Sequence, residues 1–345
     1  MSRWAAVLAG GSGTRFWPLS TNRTPKQMLP LAGPDPLLVQ SVRRLAGLID
    51  SQHILIVTGA HLVDATRRLL PEVPAGNVLG EPRAASTGPA LAWATNVAAA
   101  RDPNASVVSL HADWFVGNDQ EFRETAARAL DIAERFDVLV TVGIVPTRPD
   151  TGYGYIRPGA VLDGDARRVE QFVEKPNEGR ATTLIAEGAL WNSGMFAWTA
   201  KRFDTETRLH APEITPHLPL LASGDVTGFF ARVTPVAVDV SHFERSDKVA
   251  VLPGRFSWDD VGTWAGLGRV RRGDAARNVV VGAGSVQEAA ENIVWADDGP
   301  VVLFGVHDLV VVRANGVVLV TTKEHAARLK DLLGTLPGEL RDLAK

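Results

Sequence analysis

A glycine-rich segment near the start of the chain contains the groups that bind phosphates. Gly10, Gly11 and Gly13 follow a short apolar run. Because they lack a side chain and tolerate positive φ, they leave backbone N–H groups accessible to an anion. Arg15 adds a planar guanidinium that can bind two phosphate oxygens, and Lys26 adds a mobile positive charge. Together these groups can stabilise negative charge on a reacting phosphorus and on a departing pyrophosphate.

The spacing of these residues differs from that of two well-known phosphate loops. A Rossmann loop needs a third glycine where this chain has Phe16. A Walker loop needs its lysine directly after the last glycine, whereas Lys26 lies thirteen residues after Gly13. A tight turn without a ligand would explain the glycines alone. Because the apolar run, the glycines, Arg15 and the Pro25-Lys26 pair occur together, we interpret the segment as a phosphate-binding loop.

Two aspartates that are far apart in the sequence can hold a hard divalent cation. Asp113 follows the apolar run 106–110, so we expect its carboxylate at the carboxyl end of a strand. The Asp259-Asp260 pair offers a second carboxylate, and these two residues are alternatives for the same role. Mg²⁺ prefers oxygen ligands and keeps several waters, so one or two carboxylates suffice. Each aspartate alone is better explained by a turn or a helix cap, and we expect His111 to be structural.

The motifs resemble those of a known enzyme family. Residues 8–15, Leu-Ala-Gly-Gly-Ser-Gly-Thr-Arg, and the later Pro25-Lys26-Gln27 are similar to the signature of the sugar-nucleotide pyrophosphorylases, or nucleotidyltransferases. They most resemble the mannose-1-phosphate guanylyltransferases, and the resemblance covers about residues 3–335 with the motifs in the same order. It implies a Mg²⁺-dependent reaction of GTP with α-D-mannose 1-phosphate that gives GDP-mannose and pyrophosphate.

The resemblance also implies roles for individual residues. Those expected to act in catalysis are Arg15, Lys26 and Asp113, with Asp113 and Asp260 as the metal ligands. Those expected to bind the nucleotide are Leu8, Gly10, Gly11, Gly13, Thr14, Ser86 and Thr87. Those expected to bind the sugar phosphate are Gly154, Glu174, Lys175 and Asn192.

The chemistry of the sugar-side residues suits those roles. Lys175 can bind the phosphate of the sugar 1-phosphate, and Glu174 can accept hydrogen bonds from sugar hydroxyls. Asn192 can bridge hydroxyls, since its amide both donates and accepts. Gly154 lies in the motif Gly-Tyr-Gly-Tyr-Ile, which a hairpin without a ligand would explain almost equally well.

Residues 81–90 depart from the family pattern. The guanylyltransferases have Glu-Pro-x-x-Arg-Asn-Thr-Ala-Pro-Ala, whereas this chain has Ala85 for the arginine, Ser86 for the asparagine and Gly88 for the first alanine. Ser86 cannot present an amide pair to a base edge. Two alternatives therefore stay open: a nucleotidyltransferase that uses dTTP, UTP or ATP with glucose 1-phosphate or a similar sugar phosphate, and an inactive sugar-nucleotide sensor. The sensor is disfavoured because both metal aspartates and both loop cations are present.

The expected reaction is a direct in-line displacement. The phosphate oxygen of the sugar 1-phosphate attacks the α-phosphorus of the triphosphate, and pyrophosphate leaves. A phosphate monoester is already an anionic nucleophile, so no general base is required. This agrees with the lack of a convincing Ser/His/Asp or Cys/His set in the sequence.

Composition and charge narrow the class of protein. The chain has 345 residues, of which 45% are hydrophobic and 22% charged, as in an ordinary globular enzyme. The net charge of -3 argues against a nucleic-acid partner, and the lack of cysteine excludes disulfides and thiolate metal sites. The sequence shows no signal-peptide pattern and no apolar run near the length of about 20 residues that spans a bilayer. We expect a cytoplasmic protein without a membrane partner, and the resemblance suggests a homodimer.

Strand and helix patterns alternate over the first half of the chain, and these elements must position the motifs. The predicted strands are 4–8, 53–58, 77–79, 106–110 and 138–142, and the predicted helices are 36–49, 60–70, 87–100 and 119–135. This alternation predicts an α/β, Rossmann-like fold: a mostly parallel mixed sheet with helices on both faces. Ligands of such sheets bind beyond the carboxyl ends of the strands, where the glycine loop begins.

The pattern changes in the second half. A turn-and-hairpin region is predicted over 146–159, followed by a strand at 168–173, a helix at 177–187 and a strand at 190–198, while 224–257 shows no clear pattern. Short strands at 278–281, 292–295, 301–304, 309–312 and 317–320 precede a helix over 323–333 that is expected to end at Gly334. We therefore predict a nucleotidyltransferase catalytic domain over 1–272 and a small β-rich module over 273–345.

Overall fold

Fifteen strands and twelve α-helices are present in the computed structural model, which describes residues 2–11 and 13–342. The strands are β1 (Arg3–Leu8), β2 (Ile54–Gly59), β3 (Val78–Glu81), β4 (Ser106–His111), β5 (Phe115–Val116), β6 (Leu139–Ile144), β7 (Tyr155–Asp163), β8 (Ala166–Val173), β9 (Leu190–Thr199), β10 (Val249–Gly254), β11 (Trp258–Asp259), β12 (Val279–Gln287), β13 (Ile293–Phe304), β14 (Leu309–Ala314) and β15 (Val317–Thr322). The helices are α1 (Leu37–Arg43), α2 (Val63–Leu69), α3 (Thr87–Arg101), α4 (Asp119–Phe136), α5 (Glu178–Ala186), α6 (Ala200–His210), α7 (Leu218–Ala222), α8 (Val226–Arg232), α9 (Trp264–Val270), α10 (Lys323–Ala326), α11 (Leu329–Thr335) and α12 (Gly338–Asp342). Within this part of the chain, no helix combines the length and the apolar composition that a membrane span requires.

The chain folds into two compact units, each built from several segments. The larger unit comprises Met1–Gly10, Val42–Ala112 and Val116–Trp258, and the smaller comprises Gly11–Ser41, Asp113–Phe115 and Asp259–Lys345. The predicted boundary between residues 272 and 273 stays a prediction, because compactness groups distant segments and does not test a boundary along the sequence. Residues 343–345 of the predicted C-terminal module lie outside the described residues.

A nine-stranded mixed sheet forms the centre of the larger unit, in the order β3-β2-β1-β4-β9-β6-β10-β8-β7. Neighbours are parallel from β3 to β4 and between β6 and β10, whereas β9 is antiparallel to both β4 and β6. β1, β4 and β6 are almost wholly buried, which explains their mostly apolar sequences. Helices flank this sheet, so the α/β prediction is confirmed.

One edge of the sheet collects the motifs of the larger unit. The carboxyl ends of β1, β3, β4 and β6 lie at this edge, because these strands are mutually parallel in the sheet. β9 runs in the opposite direction, so its first residues lie there too, with Trp191 paired to Ile144 and Asn192 to Gly143. The residues at this edge therefore come from the ends of the parallel strands and from the start of the antiparallel strand β9.

Several element boundaries differ from the prediction. The helix expected over 36–49 ends at Arg43, and the chain continues in tight turns to Gly47, whose φ is +84°. The pattern-free segment 224–257 contains α8, a π-helical turn at Asp239–Phe243, and β10. The helix expected over 323–333 is broken into α10 and α11, and α11 passes through Gly334 and ends at Thr335. Gly334 does not take positive φ, so it does not act as a helix-terminating residue.

The smaller unit contains a stack of parallel strands. β12, β13 and β14 are parallel neighbours, and β15 is antiparallel to β14. The strands expected at 292–295 and 301–304 are the two halves of β13, which pair with the two halves of β12 on either side of an irregularity at Gly282–Gly284. Inside the stack the Asn292 amide donates to Asn278 Oδ1 at 2.9 Å, and its oxygen accepts from the Leu309 N–H at 2.9 Å.

An aromatic contact joins this stack to the chain just after the glycine loop. The rings of Phe16 and Trp264 are 5.0 Å apart between centroids, and those of Trp264 and Trp295 are 6.1 Å apart. All three side chains belong to one buried apolar cluster of the smaller unit. The fold therefore anchors the loop to the stacked strands through large apolar side chains, which contribute strongly to core packing.

Candidate active site

The glycine loop and the Pro-Lys pair pack directly against each other in the smaller unit. Gly13 has φ +59°, and a Cβ at this position would lie 2.6 Å from the backbone nitrogen of Lys26. Ser20 Oγ donates a hydrogen bond of 2.6 Å to the Gly13 carbonyl. Only glycine satisfies both the backbone conformation and the close contact. Two motifs that are separated in the sequence thus form one structure.

The two loop cations lie in different environments. Arg15 belongs to a 3₁₀ turn over Thr14–Phe16, and its side chain is exposed. Lys26 is only 6% exposed. Its Nζ donates a hydrogen bond of 2.7 Å to Asp113 Oδ2 and another to the backbone carbonyl of Asp260. A buried ammonium needs such partners because its desolvation is costly.

Asp113 through its carboxylate and Asp260 through its backbone carbonyl therefore bind the same ammonium group. Asp260 also accepts a hydrogen bond of 3.1 Å from the Gly262 N–H. The alternative ligand, Asp259, is 6% exposed, and its two oxygens accept hydrogen bonds of 2.6 and 3.0 Å from Arg269. Asp259 is thus engaged in an ion pair with Arg269, whereas the backbone carbonyl of Asp260 shares Lys26 Nζ with the Asp113 carboxylate.

The donor set around Lys26 fits a hard divalent cation. These oxygen atoms already bind the positively charged ammonium of Lys26, and carboxylate and carbonyl oxygens are the ligands that Mg²⁺ prefers. No cluster of three or more potential metal-binding side chains occurs in residues 2–11 and 13–342. Mg²⁺ held by Asp113 and Asp260 would therefore complete its coordination with water or phosphate oxygens, as Mg²⁺ commonly does.

The predicted nucleotide-binding residues of the larger unit differ in accessibility. Leu8 is a core residue, and its carbonyl accepts a hydrogen bond of 2.9 Å from the Ala112 N–H. Thr87 Oγ1 accepts a hydrogen bond of 2.9 Å from the Val238 N–H, so it anchors the start of α3. Ser86 is exposed and has φ 68° and ψ 180°, a conformation almost restricted to glycine.

The carboxyl group of Glu81, which is absent from the sequence predictions, lies beside Gly10. Glu81 ends β3, and its Oε2 lies 3.8 Å from the position a Cβ on Gly10 would take. Its Oε1 is buried and has no hydrogen-bond partner among the described residues. Burial raises the pKa of Glu81 to about 7. A buried polar atom without a partner calls for an explanation, and a hydrogen-bond donor on a ligand would supply one. The Glu-Pro pair in the segment 81–90 was the available signal.

The four predicted sugar-side residues lie together in the larger unit. The Asn192 N–H donates a hydrogen bond of 2.8 Å to the Gly154 carbonyl. A Cβ on Gly154 would lie 2.7 Å from Glu174 Oε2 and 3.6 Å from Asn192 Cβ. Lys175 is exposed, donates a hydrogen bond to Glu174 Oε1, and has φ +42°. Such backbone strain is concentrated at functional sites.

A bulge in β9 directs Asn192 into this group. A second acidic residue that is absent from the sequence predictions, Asp239, contacts Asn192. The pairing of β6 with β9 shifts between Val142 and Gly143, and Gly194 takes φ +76° in the extra residues. Asp239 accepts a hydrogen bond of 2.6 Å from Asn192 Nδ2. Burial raises the pKa of Asp239. Sequence reasoning missed Asp239 because 224–257 has no periodicity that would place it.

Two family models match this chain. The family model described as Nucleotidyl transferase matches residues 4–277, and the one described as MannoseP isomerase/GMP-like beta-helix domain matches residues 285–336.

Two curated relatives and one solved structure match nearly the whole chain. Mannose-1-phosphate guanylyltransferase of Escherichia coli K12 is 34% identical over 98% of this chain and 74% of its own length. The alginate biosynthesis protein AlgA of Pseudomonas aeruginosa is 33% identical over 97% of this chain and 72% of its own length. A Thermus thermophilus structure described as mannose-1-phosphate geranyltransferase superimposes with a TM-score of 0.90 at 35% identity, covering 97% of this chain and 99% of that one.

Proposed function

This chain belongs to the mannose-1-phosphate guanylyltransferase family of nucleotidyl transferases and is a sugar-1-phosphate nucleotidyltransferase, and we propose that its substrates are GTP and α-D-mannose 1-phosphate. The products are GDP-mannose and pyrophosphate. The observation that supports nucleotidyl transfer best is the packing of Lys26 against Gly13, with Asp113 and Asp260 around its Nζ.

The proposed reaction needs positioning and charge stabilisation rather than a covalent intermediate. A phosphate oxygen of mannose 1-phosphate bonds to the α-phosphorus of GTP while the bond from that phosphorus to the pyrophosphate oxygen breaks. Arg15 and Lys26 stabilise the charge on the departing pyrophosphate. Mg²⁺, when held by Asp113 and Asp260, supplies positive charge that offsets the charge of the phosphates. Lys175 binds the phosphate of the sugar substrate.

Glu81 supports the preference for guanine. Guanine presents two adjacent donors, N1–H and the 2-amino group, whereas uracil and thymine present one N–H between two acceptors. A carboxyl group with an oxygen that lacks a partner complements two donors. A site whose buried polar group stays unpaired with the wrong ligand rejects that ligand strongly.

A substrate panel tests this function. Pyrophosphate release is measured with GTP, dTTP, UTP and ATP, each combined with mannose 1-phosphate and glucose 1-phosphate. We expect kcat/KM for GTP with mannose 1-phosphate to exceed every other combination at least tenfold, about 1.4 kcal/mol. A higher kcat/KM for dTTP, UTP or ATP would show that the enzyme prefers that nucleotide, which is the alternative that Ala85 and Ser86 leave open.

Inosine triphosphate provides a sharper test of Glu81, since it lacks only the 2-amino group. The wild-type enzyme should favour GTP over the inosine analogue about tenfold, a typical cost of one lost hydrogen bond to a charged group. Glu81→Ala should remove this preference, so that the enzyme uses the two nucleotides equally well. An unchanged ratio in the variant would show that Glu81 does not recognise the base, and the proposed reaction would still stand.

The cytoplasmic location and the homodimer stay predictions.

A further inference from the structure

The side-chain amide of Asn192 is held by three neighbours. Its Nδ2 donates a hydrogen bond of 2.6 Å to Asp239 Oδ1. Its Oδ1 accepts hydrogen bonds of 3.1 Å from the Gly194 N–H and 3.3 Å from Thr141 Oγ1. The hydrogen-bond network thus assigns the orientation of the amide, with the oxygen toward the bulge and the nitrogen toward Asp239.

This orientation limits what Asn192 can offer a ligand. The amide oxygen is used by the Gly194 N–H and the Thr141 hydroxyl, whereas Nδ2 has a second hydrogen beyond the one given to Asp239. Rotating the amide by half a turn would place its oxygen against the Asp239 carboxyl oxygen. It would also leave the Gly194 N–H facing the NH₂ group. Asp239, together with the Gly194 N–H, therefore determines which end of the amide is available.

Asp239 is well suited to this task because its own backbone is held firmly. It begins the π-helical turn Asp239–Phe243, a rare structure that is frequent at functional sites. The Phe243 ring stacks on Phe196 of β9 with centroids 4.1 Å apart. The preceding Val238 N–H is bound by Thr87 Oγ1 at 2.9 Å. These contacts tie the turn to the strand that carries Asn192 and to the start of α3.

We propose that Asp239 is a positioning residue for the sugar phosphate. It fixes the Asn192 amide so that an N–H group, and not the carbonyl oxygen, is presented to a sugar hydroxyl. The inference rests on the proposed function, because it takes the ligand of Asn192 to be the sugar of a sugar 1-phosphate. The acceptors for the sugar hydroxyl protons are then carboxylates such as Glu174, whose Oε2 lies against Gly154.

A double-mutant cycle tests this role. The variants are Asp239→Ala, Asp239→Asn, Asn192→Ala and the double variant Asp239→Ala/Asn192→Ala. Steady-state kinetics gives KM for each substrate, and calorimetry gives the affinity for mannose 1-phosphate alone. Asp239→Ala should raise KM for the sugar phosphate at least tenfold and change KM for GTP less than twofold. Asp239→Asn should keep KM for the sugar phosphate within about threefold of wild type, because its amide oxygen still accepts from Asn192 Nδ2.

The decisive comparison is between the two backgrounds. Since Asp239 acts through Asn192, Asp239→Ala should raise KM for the sugar phosphate less than twofold when Asn192 is already alanine. An equal loss in both backgrounds would overturn the proposal, and so would a parallel rise in KM for both substrates together with a lower Tm. If the wild-type enzyme prefers another sugar phosphate, the proposed function fails, and the cycle measured with that sugar still decides the role of Asp239.

Discussion

Lys26 Nζ and Asp113 Oδ2, 87 residues apart in sequence, form a hydrogen-bonded ion pair of 2.7 Å. The same ammonium bonds to the carbonyl of Asp260, 234 residues further along the chain than Lys26. The cation that we assign to pyrophosphate stabilisation thus holds the two proposed metal ligands together. Removing it changes the charge of the site and leaves both the Asp113 carboxylate and the Asp260 carbonyl without this partner.

Lys26→Ala should therefore lower kcat at least tenfold, which corresponds to about 1.4 kcal/mol or more of transition-state stabilisation. The measurement is pyrophosphate release at saturating GTP and mannose 1-phosphate. The exposed Lys201 provides a matched control, and Lys201→Ala should keep kcat within twofold of wild type. A kcat near that of wild type in Lys26→Ala would contradict the assigned role.

The adjacent aspartates Asp259 and Asp260 should respond differently to the same substitution. Asp260→Asn should raise the Mg²⁺ concentration for half-maximal activity at least tenfold, because a neutral amide is a weaker ligand for a hard cation. Asp259→Asn breaks an ion pair with Arg269 and should lower stability by about 1 to 3 kcal/mol without changing the Mg²⁺ requirement. Titrations with MgCl₂ and thermal unfolding of both variants measure these effects. An exchange of the two phenotypes would make Asp259 the ligand.

Glu81 should make stability depend on pH. Burial raises its pKa from 4.5 to about 7, so between these values the folded chain holds a proton that the unfolded chain releases. Stability from this group is therefore complete below about pH 4.5 and is lost as the pH rises through about 7. Glu81→Gln removes the effect and should be more stable than wild type at about pH 8, by on the order of 1 to 2 kcal/mol. Parallel pH profiles of urea unfolding for the two proteins would refute this assignment.

The positive φ of Lys175 separates stability from function at one position. Lys175→Gly and Lys175→Ala both remove the cation and should raise KM for mannose 1-phosphate at least tenfold. Because glycine adopts φ +42° without the steric cost of a Cβ, Lys175→Gly should be more stable than Lys175→Ala by about 1 kcal/mol. Urea unfolding of the two variants gives the difference, and equal stability would show that the backbone at Lys175 is unstrained.

Strand alternation in the sequence was enough to predict the parallel part of the sheet and the edge that receives its motifs. Short, mostly apolar segments such as that of β4 are bounded by turn residues, so their pattern predicts strands. The antiparallel insertion of β9 between β4 and β6 was not predictable, because it depends on pairing between residues far apart in sequence.

The geometry of the candidate site was only partly accessible from sequence. The types of Asp113, Asp260 and Lys26 indicated their chemistry, but their meeting at one atom depends on the packing of the smaller unit. Asp239 could not be found, since a single π-helical turn has no sequence period. The strained conformations of Ser86 and Lys175 were equally hidden, because neither residue type favours positive φ.

The contact of Phe16 with Trp264, and of Trp264 with Trp295, changes how substitutions far from the reacting phosphates should be understood. Through these contacts, the stacked strands support the chain that follows Gly13. A smaller side chain at Trp295 would leave a cavity next to Trp264 and would weaken the packing that holds the chain after the glycines. A loss of activity on substitution of the buried Trp295 would then arise from weaker packing around Phe16.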